Sequence, residues 1–128
     1  MEKAAIVATL LFFAAPATAA QESYACTVQS LSRLSDGGTL VRATGDPIEG
    51  RDFAVNRASG KIIGKYLGSG GFDTKVLDAG SAAQSFKVLA TSRGSLHVLY
   101  LEIQQFRPGV LKPFVLVDGS LVYAGVCK

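Results

Sequence analysis

Three side chains stand out as capable of chemistry in this chain of 128 residues: the sole histidine, His97, and the cysteines Cys26 and Cys127. An imidazole acts as a general base when folding brings it a nucleophile and a carboxylate that orients it. No Gly-x-Ser-x-Gly elbow is present. His97 has the same parity as Leu99, Leu101 and Ile103, which puts it at the end of a core-facing row, as a partly buried polar residue near a strand end. No catalytic residue is therefore assigned. A small hydrolase around His97 stays open as an alternative. It requires His97 at a pocket mouth within hydrogen-bond reach of a Ser and an Asp.

The carboxylates are sparse. Asp73 and Asp78 are an odd number of residues apart, so on one strand they face opposite sides and cannot form an acid/base couple. Asp46, Glu49 and Asp52 crowd one loop, but Arg51 sits among them and their spacing matches no metal-binding loop. They are expected to be solvated turn residues. One His and two pairable Cys leave no transition-metal cluster, so neither metal nor cofactor is expected. Gly68-Ser69-Gly70-Gly71 lacks the following helix that phosphate-binding glycine loops need, and is expected to be a hinge or a mobile loop tip.

The compartment follows from the N-terminus. Met1-Glu2-Lys3 precedes an apolar run from Ala4 to Ala15, then Pro16 and the small residues Ala17-Thr18-Ala19-Ala20. That is the layout of a secretory signal peptide over 1–20, cleaved near Ala19 or Ala20. Its apolar run is too short to span a bilayer, so no transmembrane segment is expected in the mature form. Residues 21–128 remain as one domain, and because Glu2 and Lys3 leave together its net charge stays at +3. Export to an oxidising compartment predicts a Cys26–Cys127 disulfide that ties the first strand to the last. A closed loop of about 100 residues corresponds to roughly 4.7 kcal/mol in the chain-entropy model.

The elements that must position these groups are strands. Hydrophobic residues make up 48% of the chain and charged residues 18%, a globular balance. From Tyr24 onward β-rich runs alternate with turn signals: Asp36-Gly37-Gly38, Arg57-Ala58-Ser59-Gly60, Ala79-Gly80-Ser81, Ser92-Arg93-Gly94, Arg107-Pro108-Gly109 and Asp118-Gly119. Ser85 to Thr91 alternates cleanly, and Leu96 to Phe106 is expected to be the longest strand. Lys61 to Leu67 is expected to return from the Arg57–Gly60 turn as a full strand. The fold class is all-β: a small antiparallel β-barrel or two-sheet sandwich of about eight strands, with consecutive hairpins favouring a meander.

One region breaks the even charge distribution. Arg51, Arg57, Lys61 and Lys65 stand against Asp52 alone between Arg51 and Tyr66. Arg57 and Lys61 are expected at a hairpin tip, with Lys65 and Tyr66 along the returning strand. Arg51, Arg57, Lys61, Lys65 and Tyr66 form the candidate binding patch, suited to an envelope protein or an anionic envelope polymer. The aromatics do not interleave with the basic residues as nucleic-acid binding would need. The expected function is an exported, non-enzymatic binding module of the cell envelope, periplasmic or secreted. A β-barrel carrier of a small apolar ligand is the other alternative, because Leu96 to Leu101 and Phe114 to Val117 are apolar on both faces.

Overall fold

The computed structural model describes residue 11 and residues 22–45, 48–94 and 96–128. The expected leader, residue 11 aside, and Asp46 lie outside the described residues. Nine strands form: β1 (Ser23–Leu34), β2 (Leu40–Ala43), β3 (Asp52–Asn56), β4 (Ile62–Ile63), β5 (Phe72–Ala79), β6 (Phe86–Ser92), β7 (Val98–Ile103), β8 (Lys112–Asp118) and β9 (Leu121–Cys127). All pair antiparallel in one sheet, in the order β4-β3-β1-β9-β8-β7-β6-β5, with β2 on β1. β5 to β9 is the expected meander. The sheet curls into a half-barrel, so the inner side chains of strands far apart in the ladder meet: the Tyr24 and Phe86 rings lie 5.1 Å apart.

Period-2 alternation decides which side chains fill the curl. Residues paired across the sheet form inward rows. One row runs Val28, Gly125, Phe114, Ile103, Phe86 from β1 through β6; the next runs Leu31, Tyr123, Leu116, Leu101, Val88. These side chains are buried, and Phe86, Leu101 and Ile103 are completely so. Each such side chain contributes about 1.5–3 kcal/mol relative to exposure. At Gly125 no side chain fits. A Cβ there would overlap the Thr27 carbonyl oxygen and lie 2.8 Å from the Phe114 ring. The β1 ladder slips by one residue between Val28 and Ser30 at this point, a bulge that bends the strand round the core.

The cysteines meet as expected. Cys26 and Cys127 are directly opposed on β1 and β9 and form a disulfide, both buried. Such a bridge fits a chain that folds under oxidising conditions. Among the described residues no helix is long and apolar enough to cross a membrane.

The other seam, between β4 and β5, has no ladder. Thr74 Oγ1 donates to the Ser59 carbonyl at 2.8 Å. Gly60, with φ of 74°, presses against Val88 and Val76, where a Cβ would come within 2.9 Å of Val88. The segment from Gly64 to Gly71 carries the chain across the gap.

Two expectations need correction here. The returning strand is Ile62–Ile63, not Lys61 to Leu67. The chain turns at Gly64, where a Cβ would lie 2.5 Å from the Leu67 carbonyl oxygen and 2.9 Å from Phe53 Cβ, so the turn has room only for glycine. The glycine-rich link is also not a free tip. Ser69 is 2% exposed, receives the Ile62 N–H on its Oγ at 2.9 Å and accepts from Phe72 N through its carbonyl at 2.9 Å. One boundary also differs: β7 is shorter than expected, with Leu96 and His97 before it and Gln104 to Phe106 after it.

Candidate functional site

A pocket of about 110 Å³ opens where β5 and β7 begin and β8 ends. Its lining includes Ile62, Leu67, Leu99 and Leu116 at the base and Tyr66, His97, Asp118 and Tyr123 among the polar groups. The register explains how two titratable groups come together here. His97 precedes the inward row Leu99, Leu101, Ile103 on β7. Asp118 ends the inward row Phe114, Leu116 on β8, and Leu99 pairs with Asp118. Antiparallel pairing therefore brings the His97 end of one row beside the Asp118 end of the next. His97 Nε2 and Asp118 Oδ1 are in hydrogen-bond contact. A carboxylate oxygen accepts, so it is the Nε2–H of His97 that donates to Asp118. Phe72 packs edge-on against the imidazole, ring centroids 5.3 Å apart.

Asp118 was missed as a site residue because Asp118-Gly119 is so strong a turn signal. The parity of 114, 116 and 118 carried the information that it also faces inward.

The basic patch divides. Arg51 stacks over the Tyr66 ring at 4.7 Å, and Lys65 lies 5.5 Å from the same centroid. Tyr66 lines the pocket, and Arg51 and Lys65 lie against the ring of this lining residue. Lys65 and Tyr66 belong to the link after β4, not to the returning strand as expected. Arg57 turns away and stacks over Tyr24 at 4.8 Å. Tyr24 donates its hydroxyl hydrogen to Gln105 Oε1 at 2.7 Å, at the far end of the barrel. Lys61 is exposed directly after the Arg57–Gly60 turn. Arg51, Lys65 and Tyr66 are thus together, and Arg57 lies on a different ring.

Four other carboxylates have structural partners. Glu49 lies 3.7 Å from Arg42, and Asp52 accepts from Thr27 Oγ1 at 2.6 Å. Asp73 forms a forked pair with Arg93 at 2.8 to 3.1 Å. The Arg93 hydrogen bonds, and secondarily its charge, lower the Asp73 pKa. Asp78 caps the Gly80 N–H at 2.9 Å, so the two β5 acids serve different neighbours. Among the described residues no group of three His, Cys, Asp or Glu side chains could hold a metal ion.

Comparison with protein-family models, with curated proteins and with solved structures finds no match to this chain.

Proposed function

We propose that this chain is an exported, non-enzymatic binding module of the cell envelope, in the periplasm or outside the cell. It takes an envelope protein or an anionic envelope polymer at the barrel mouth. The observation that carries this reading is the double position of Tyr66, which lines the pocket and carries Arg51 and Lys65 against its ring. A partner that lays an anionic surface over the two cations would set a small side chain or sugar edge into the pocket beside His97 and Asp118. The pocket is smaller than the several hundred Å³ typical of small-molecule sites, and the buried inner rows fill the curl behind it. Both features favour surface recognition over carriage of an apolar ligand.

The test is capture from an envelope extract by the oxidised protein, beside two charge-reversed variants. Arg51→Glu/Lys65→Glu is expected to lose the partner, and Arg57→Glu/Lys61→Glu to keep it. The opposite pattern would move the contact to the hairpin tip. Retention by both would end the proposal for the mouth.

The His97–Asp118 contact favours a second reading, a small hydrolase. An imidazole held by a carboxylate has the arrangement of a general base. The pocket lining contains the hydroxyls of Tyr66 and Tyr123 but no Ser, Thr or Cys, so water would have to be the nucleophile. Turnover of small activated esters by the native protein, lost in His97→Asn, would transfer the assignment to this reading.

A further inference from the structure

The end of the barrel opposite the mouth carries a feature that the proposed binding role does not use. The connection from β7 to β8 runs Gln104-Gln105-Phe106-Arg107-Pro108-Gly109-Val110-Leu111 into Lys112 and contains no acid. Its apolar side chains face water: Phe106 is 41% exposed, Val110 77% and Leu111 56%. Its shape is held from within. Arg107 Nε donates to Gln104 Oε1 at 2.9 Å, the Arg107 guanidinium lies 5.5 Å from the Phe106 ring, and Lys112 Nζ donates to the Arg107 carbonyl. Arg57 reaches the same end through Tyr24, which bonds Gln105. Lys112 pairs with Cys127, so Lys128 lies next in register beside Leu111. The nearby acids are Glu22, whose carbonyl accepts from Arg57 N, and Asp78, whose carboxylate is taken by Gly80 N.

We propose that this loop docks the far end of the barrel onto an anionic lipid surface. Phe106, Val110 and Leu111 enter the headgroup boundary, and Arg107, Lys112, Arg57 and Lys128 face the lipid phosphates. Exposed apolar tips beside a cluster of basic residues that outnumbers the nearby acids suit an interface that is oily below and anionic above. A second copy of the chain meets the opposite condition, since two such loops would bring arginine against arginine. Docking by this end would leave the Arg51–Tyr66–Lys65 rim facing outward.

The chain contains no tryptophan, so a single one reports its own surroundings. Phe106→Trp in the full chain is expected to shift its emission to the blue with phosphatidylcholine vesicles containing phosphatidylglycerol, and not with phosphatidylcholine alone. Leu96→Trp, at the mouth, is expected to show no shift, which separates docking by this loop from attachment through the apolar N-terminal run. Adding Arg107→Glu/Lys112→Glu to the reporter should weaken partitioning at least tenfold, because each basic residue near such a surface is worth roughly fivefold. Val110→Asp/Leu111→Asp, at exposed positions that folding does not require, should do the same. Absence of the Phe106→Trp shift, an equal shift at Leu96→Trp, or unchanged partitioning of both loop variants would overturn the proposal. So would a shift that needs only higher protein concentration, which would mark a contact between copies.

Discussion

The half-barrel has two seams, and they are closed by different means. At β1–β9 the two ends of the described fold lie side by side in a ladder running from Cys26–Cys127 to Arg33–Leu121, with the disulfide across its first pair. At β4–β5 there is no ladder, and closure rests on Ser69, on Thr74 reaching Ser59, and on Gly60 pressed against Val88 and Val76. The first seam is covalent, buried and long. The second is made of side chains and a link. The pocket and its cationic rim belong to the second, where Ile62, Tyr66, Leu67 and Phe72 form part of its wall. A recognition site can exchange water and partner at a seam that opens locally, provided another seam keeps the fold closed.

The most severe way to test this contrast is to remove the covalent tie. Cys26→Ala/Cys127→Ala is expected to cost about 2–5 kcal/mol, out of the roughly 5–15 kcal/mol typical of a domain, measured by urea unfolding as a lower midpoint with a steeper slope, since the denatured chain expands without the cross-link. If the β1–β9 seam is the fixed one, exchange of amides on β1 and β9 should accelerate most. A loss confined to β4 and β5 would reverse the assignment of the seams.

Much of this architecture is legible in the sequence. Turn dipeptides and period-2 alternation mark the strands, and two cysteines behind an expected export signal predict the bridge. What was not legible depended on packing between distant segments. Gly64 carries no sign that it will lie against Phe53, so the strand expected over Lys61 to Leu67 breaks after Ile63. Ser69 looks like flexible filler among glycines until Ile62 and Phe72 are placed around it. The run of basic residues does not announce which rings they meet: Arg51 and Lys65 lie against Tyr66, and Arg57 against Tyr24. His97 and Asp118 were each assignable to an inward row, but only the β7–β8 register shows that the two rows end together.

A milder intervention acts on the second seam. Ser69→Ala removes the hydroxyl that receives Ile62 N and donates to the Ile62 carbonyl at 3.2 Å. Ile62 N then loses its partner while the Ile62 carbonyl keeps the Ser69 N–H at 2.9 Å, and a buried N–H left unpaired costs about 1–3 kcal/mol. Local exchange at Ile62 and Phe72 should accelerate while β1 and β9 keep the protection of the native protein. Uniform acceleration across all strands would mean that the two seams open as one unit.

The smallest expected effect concerns a tie that spans the interior. Tyr24 projects from β1 to the Phe86 ring and to Gln105 after β7, linking the fixed seam to the meander. Burial raises its phenol pKa above the ordinary value near 10, and the positive charge of Arg57 opposes the shift in part. The folded chain therefore holds this proton at a pH where the unfolded chain has begun to release it. The contribution is complete below pH 10 and is lost as pH rises through the folded value. Tyr100 is raised as well, by partial burial and then by the charge of Glu102, so the two must be separated. Stability measured in urea between neutral pH and pH 11 should fall for the native protein and fall less for Tyr24→Phe, which also loses about 1 kcal/mol at neutral pH with its hydrogen bond to Gln105. If Tyr100→Phe flattens the alkaline slope and Tyr24→Phe does not, the coupling across the interior is absent and the outer face governs the alkaline limit.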